Sequence, residues 1–242
     1  MVKQSSIEVC FSPALFPLHE DKEAIVVVID ILRATSAIVT AFQNGVERLI
    51  PVKTIDEARE YKKRGYVIAA ERDGYVLDFA DFGNSPFNFT REKIAGKTIV
   101  YSTTNGTQAI QMASSCYRVI IGSFLNISVL CDWIAGEQRS VVLLCAGWKN
   151  RFSLEDAICA GAMTEKLLAH ELFYTNCDAA KAAFDLWSLA KDDLGMYVEK
   201  VAQRTRLREK GLDDVIPYCH TPDSCKSVPV LKNGYLIDIK DF

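Results

Sequence analysis

Ile25-Val26-Val27-Val28-Ile29-Asp30-Ile31-Leu32-Arg33-Ala34-Thr35-Ser36 is the stretch that decides how this chain folds. Five consecutive β-branched residues read as a strand buried on both faces, and Ser36 to Phe42 reads as the helix that follows it. In an open α/β sheet the carboxyl end of such a strand opens into the crevice where ligands sit. An acid, an arginine and two hydroxyls therefore meet at a helix start. Arginine forks onto phosphate or carboxylate, a helix start presents free N–H groups to anions, and aspartate can hold a divalent cation. Asp30 as a plain cap and Arg33 as a surface residue account for the same pattern.

Outward from this unit the pattern repeats. Val46 to Val52 reads as a strand, and Thr54 opens a helix with Glu57 completing a capping box. Tyr66 to Ala70, Thr98 to Tyr101, Arg118 to Ile121 and Val141 to Leu144 are further short apolar strands, each followed by polar residues and then a helical pattern. Such alternation predicts an α/β fold with a largely parallel or mixed sheet flanked by helices. Ser153 to Phe173 reads as one long helix, and Asp178 to Arg208 stays helical and amphipathic. The segment from Asp213 to Phe242, with Pro217, Pro222 and Pro229, is expected to wrap over the domain. The chain reads as one unit, 1–242, with a candidate division into two lobes near Gly96.

Composition narrows the function. The 242 residues are 49% hydrophobic, enough for a substantial core, and the net charge of -3 gives no reason to expect nucleic acid as a partner. With no apolar run near the ~18 residues of a membrane span and no signal-peptide pattern at Met1 to Ser6, a cytoplasmic protein without membrane contacts is expected. The eight cysteines are scattered without a Cys-x-x-Cys pair, which argues for reduced thiols in the core. The sequence does not fix an oligomeric state; a homodimer is compatible with a helix-rich chain of this length.

Polar motifs recur at the other strand ends. Glu71-Arg72-Asp73-Gly74 repeats the acid and arginine, although it also suits a charged hairpin turn. Asp81-Phe82-Gly83-Asn84-Ser85-Pro86 places an amide and a hydroxyl in a fixed turn. Ser102-Thr103-Thr104-Asn105-Gly106-Thr107 has the hydroxyls and glycine of an oxyanion nest, without the Gly-Lys-Ser/Thr ending of a nucleotide loop; a capping loop without a ligand is the alternative. Cys145-Ala146-Gly147 leads to Glu155 and Asp156. Cys145 and Arg151 have the spacing of a cysteine-dependent phosphatase loop, but such a pair arises readily by chance here, and Trp148 is bulky where those loops favour small residues.

Taken in order, Val28 to Ser36, Glu71-Arg72, Gly83-Asn84-Ser85-Pro86, Thr103 to Thr107, Cys145-Ala146-Gly147 and Glu155-Asp156 resemble the 2-phosphosulfolactate phosphatase family, nearly end to end. The resemblance implies a magnesium-dependent phosphatase with two α/β lobes and a site in the cleft between them. It implies hydrolysis of (2R)-2-phospho-3-sulfolactate to sulfolactate and phosphate, on the route to coenzyme M. Gln108, where the family carries a basic residue, and Ala70, where it carries glycine, depart from the pattern. On this reading Asp30 and Glu71 hold Mg2+, and Arg33 and Arg72 bind the anionic substrate, a phosphate ester of a 2-hydroxy acid. Thr35, Ser36, Asn84, Ser85, Thr103, Thr104, Asn105, Gly106, Thr107 and Gly147 surround phosphate. Glu155 or Asp156 is a further ligand or general base, and Cys145 remains a candidate nucleophile. The competing class is a non-catalytic protein that binds a phosphorylated or sulfonated metabolite.

Overall fold

The stretch that opens the sequence forms strand β2 (Ile25–Ile29), with all five residues buried, and runs into helix α1 (Ala34–Gln43). In a computed structural model describing residues 4–242, this β2–α1 unit follows strand β1 (Ser5–Cys10). Next come β3 (Arg48–Pro51), α2 (Ile55–Lys63), β4 (Val67–Arg72), β5 (Tyr75–Val76), α3 (Arg91–Ile94), β6 (Thr98–Ser102) and α4 (Gly106–Met112). The middle of the chain adds β7 (Arg118–Gly122), α5 (Ile127–Glu137), β8 (Val141–Cys145), α6 (Leu154–Leu168) and β9 (Phe173–Tyr174). It ends with α7 (Asp178–Ala190), α8 (Leu194–Tyr197), α9 (Ala202–Arg208), α10 (Ile216–Cys219), β10 (Pro229–Lys232) and β11 (Tyr235–Asp238). Local chemistry sets several boundaries. Thr54 Oγ1 accepts from Glu57 N at 3.1 Å while Glu57 Oε2 accepts from Thr54 N at 3.0 Å, so the expected capping box starts α2.

The α/β class is as the alternation predicts, and all eleven strands of the described residues join one mixed sheet in the order β5-β4-β6-β3-β11-β10-β7-β2-β8-β1-β9. Two parallel sets, β4-β6-β3 and β7-β2-β8-β1-β9, flank an antiparallel hairpin made of β10 and β11. That hairpin corrects the expectation for the C-terminal segment: it completes the middle of the sheet instead of wrapping over it. Because β11 pairs antiparallel with β3 and β10 antiparallel with β7, the two sets run in opposite senses. Their carboxyl ends reach one place because the sheet folds over on itself. Val26, Val28, Val119 and Ile121 from one set share an apolar cluster with Ala69, Ile99 and Tyr101 from the other, and α1 and α4 fill the space between. The remaining faces are covered by α5, α6 and α7 on the larger set and by α2 on the smaller. Gly96 lies in the turn into β6, whose neighbours β3 and β4 precede it in the chain.

Two helical expectations shorten. α6 stops at Leu168, and the span 178–208 breaks into α7, α8 and α9 with 3-10 turns between them. Ser153 stands at the N-cap of α6, but its hydroxyl turns to Glu155 Oε1 at 2.8 Å rather than to the helix backbone. Among the described residues no helix is long and apolar enough to cross a membrane.

Candidate active site

The end of β2 is a tightly bonded turn. Thr35 Oγ1 both accepts from Asp30 N and donates to Asp30 O, each at 3.0 Å, and Ser36 Oγ donates to Ile31 O at 2.9 Å. These hydroxyls hold the turn together, and neither lines the Asp30 cavity. The Asp30 carboxylate accepts from Ala34 N at 3.3 Å and points toward the start of α4. Gly106 is required there: a Cβ on it would lie 2.7 Å from Ala34 Cβ and 3.0 Å from Asp30 Oδ2. The Thr103-to-Thr107 loop closes on itself in the same way. Thr103 N donates to Thr107 Oγ1 and Thr107 N to Thr103 Oγ1, both at 3.2 Å, so these two threonines shape the loop.

Glu71 arrives from the other strand set. The hairpin after it, with Asp73 at φ 53° and Gly74 at φ 86°, is the two-residue turn its sequence suits. The turn nevertheless leaves Glu71 buried, with Oε1 accepting from Thr104 N at 2.7 Å and Oε2 from Gly74 N at 2.6 Å. Strand alternation sends Arg72 to the opposite face, where it donates to Ser102 Oγ at 2.9 Å and to the Glu71 carbonyl. Arg72 is thus not a wall of the cavity, contrary to its expected role. Arg33 is: its Nη2 donates to Asn84 Oδ1 at 2.9 Å.

Asp30, Leu32, Arg33, Glu71, Asn84 and Asn105 converge on one cavity, closed above by Trp148, Gln203 and Leu207. Its free space is about 20 Å3, room for a single water. Larger hollows exist, one of about 470 Å3 lined by Glu47, Arg48, Lys232 and Tyr235. Its Glu47 and Arg48 pair with each other at 3.4 Å, and it lacks convergent buried carboxylates, so chemistry and not size selects the Asp30 cavity.

Behind this cavity Glu155 and Asp156 open α6. Asp156 acts as a strut: Oδ1 accepts from Ile31 N at 2.9 Å and Oδ2 from Gly147 N at 3.1 Å, tying the ends of β2 and β8 together. Gly147, at φ 62°, has no room for a side chain, since a Cβ would lie 2.2 Å from Arg151 O. Its expected phosphate-binding amide is therefore already engaged. Burial, reinforced by the neighbouring Glu71 and Glu155 charges, pushes the Asp30 carboxyl up to about 7. Burial also raises Glu155, against the Arg206 charge, and holds Asp156 well above the usual carboxylate range.

Cys145 sits in the apolar core with no exposed surface, and burial raises its thiol well above the ordinary value. A nucleophile needs the thiolate and access to substrate; Cys145 has neither. Ser85 starts a 3-10 turn without a side-chain bond and stands outside the cavity. Asp81, which opens the turn leading to Asn84, accepts from Ile68 N and pairs with Lys62 at 2.7 Å. Sequence reasoning missed Trp148, Gln203 and Leu207. The contact of Gln203 Nε2 with Leu32 O, at 3.2 Å, spans 171 residues and has no local signal.

Among the described residues no three His, Cys, Asp or Glu side chains stand close enough to form a metal cage. The donor chemistry still suits a hard cation, because Mg2+ ordinarily takes one or two carboxylates and keeps its remaining waters. Asp30 and Glu71 are two buried oxygen donors on one cavity whose charges repel.

Comparison with known proteins gives this arrangement a family. Proteins named "probable 2-phosphosulfolactate phosphatase" are 42% identical in Thermotoga maritima and 36% identical in Clostridium acetobutylicum. The first match covers 89% of this chain and 92% of the relative, and the second covers 89% and 93%. A relative of the same name from Caldanaerobacter subterraneus is 38% identical over 91% of this chain and 93% of its own length. The family model described as 2-phosphosulpholactate phosphatase matches residues 10–234, and the chain belongs to that family.

Proposed function

We propose that this protein is a Mg2+-dependent phosphatase that hydrolyses a phosphate ester of a 2-hydroxy acid, with 2-phosphosulfolactate, the compound in its relatives' names, as the first candidate. The observation that carries the reading is the meeting of Asp30, Arg33 and Glu71, from the two strand sets, on one cavity. Asp30 and Glu71 are the residues that would hold the metal, which when bound would neutralise their charge and polarise a phosphoryl oxygen. Arg33, fixed through one nitrogen by Asn84, keeps guanidinium donors for the phosphate, where charge-assisted forks are strong. Asn105, whose Oδ1 accepts from Lys149 N at 3.0 Å, is left with its amide NH2 as a further donor at the cavity wall. Glu155 is buried behind the cavity and does not line it, so this reading gives it no contact with the substrate.

The test is phosphate release from 2-phosphosulfolactate and 2-phospholactate, with Mg2+ and with EDTA. Metal-dependent release that disappears in Arg33→Gln supports the reading. A folded protein that binds these esters without releasing phosphate under either condition is a binding protein instead.

A further inference from the structure

A substrate of this kind carries a phosphate and at least one more anionic group, yet the cavity floor offers one cation, Arg33, beside two carboxylates, Asp30 and Glu71. The candidate partners for the second anion are the other cations around the opening. Arg72 is turned away and bonded to Ser102 Oγ and the Glu71 carbonyl. Lys149 pairs with Asp73 Oδ1 at 2.8 Å, and Lys210 donates to the Asp73 carbonyl and lies 4.7 Å from the Tyr75 ring centre. Arg206 differs from all three.

Arg206 is on α9, the helix that roofs the cavity, at three residues from Gln203 and one from Leu207, both of which line it. Residues three and four apart share a helix face, so Gln203, Arg206 and Leu207 look the same way. The guanidinium lies 4.6 Å from the ring centre of Trp148, another roof residue, and its Nε donates to Gln203 Oε1 at 2.6 Å. Among the described residues, its two terminal nitrogens make no hydrogen bond and no carboxylate lies within ion-pair distance of it. The Trp148 ring and the Gln203 bond hold the guanidinium in place while leaving its outer donors available. That is how a pre-oriented anion receptor is built.

We propose that Arg206 binds the second anionic group of the substrate, and so selects phosphate esters of hydroxy acids over simple alkyl phosphates. The inference rests on the phosphatase reading above. Two esters of one skeleton test it: 2-phospholactate, which carries a carboxylate, and isopropyl phosphate, which has a methyl group in its place. In Arg206→Gln, kcat/KM for 2-phospholactate falls about 10- to 100-fold, the value of a charged hydrogen bond, mostly through KM. For isopropyl phosphate the change stays within about 3-fold, and Arg206→Lys recovers part of the loss. Equal losses on both esters would mean that Arg206 serves only as countercharge to Glu155, and no loss on either would mean that it touches nothing; each outcome overturns the proposal. If the wild-type protein turns over neither ester, the phosphatase reading fails by itself. The rise in Tm on adding 2-phospholactate then decides about Arg206: a rise lost in Arg206→Gln sustains it, and a rise kept in the variant, or absent from both, overturns it.

Discussion

Replacing Asp30 with asparagine should make the metal-free protein more stable at pH 8 while disabling it. A carboxyl ordinarily near 3.8 is held at about 7 in the folded chain, so between those values the folded state binds the extra proton. Stability therefore falls as pH rises from about 4 to about 7 and levels off above it. A difference of roughly three pH units corresponds to about 4 kcal/mol of stability forgone at pH 8, an upper figure for so buried a group. Asparagine removes the charge but keeps one acceptor oxygen, so an amide now bonded to the carboxylate is left short at a cost of about 1–3 kcal/mol. The net gain is about 1–3 kcal/mol at pH 8, or a Tm higher by roughly 2–10 °C for a chain of this size. At pH 5, where the native aspartate is already protonated, the variant is equal or less stable. Thermal unfolding in EDTA across pH 5–8 should thus give curves that converge or cross, with Glu155 and Asp156 leaving some slope in the variant. Parallel curves, or a variant less stable throughout, would refute the claim that Asp30 is a strained buried acid.

Other perturbations separate the site from its scaffold. Cys145→Ala should keep phosphate release within a few-fold of the native rate, since the thiol is buried in the core; a loss beyond ~1000-fold would restore it as a nucleophile. Gly106→Ala should abolish turnover and lower Tm, because its methyl group would lie 2.7 Å from Ala34 Cβ and 3.0 Å from Asp30 Oδ2; activity assayed at a temperature where circular dichroism shows the variant folded separates the two effects. Gly161→Ala should act on stability alone. A Cβ there would overlap the Ala183 carbonyl oxygen where α6 crosses α7, and overpacking of this kind costs about 1–3 kcal/mol, read as a Tm lower by roughly 2–10 °C.

What the sequence shows and what it hides divide along the range of the interactions. β2, the capping box of α2 and the acids at strand ends are written in neighbouring residues, and Asp30 and Glu71 are visible for that reason. So is the fate of Arg72, because two consecutive strand residues face opposite ways and only one of Glu71 and Arg72 can face the cleft. The C-terminal hairpin also carries a local signal. Asn233-Gly234 between Val230-Leu231 and Leu236-Ile237 is a two-residue hairpin turn, and its residues lie at φ 52° and 82°. The prolines around it draw attention to turns instead.

The roof has no such signature. Gln203, Arg206 and Leu207 form an ordinary amphipathic face on a short helix, and their meaning comes from the strand sets folding over so that Leu32 and Trp148 lie beneath them. The same folding gives the acids different duties that their types do not reveal. Asp156 looks like an acid placed to suit a helix start, yet each of its oxygens holds the main chain of a different strand end. With that strut in place, Ile31 and Gly147 are fixed and the Asp30 carboxylate has little freedom to turn away from the cavity. The acid that does the positioning is thus distinct from the acid that is positioned. Loss of Asp156 should therefore disturb the whole β2 and β8 junction, whereas loss of Asp30 should remove one carboxylate from the cavity and leave the frame intact.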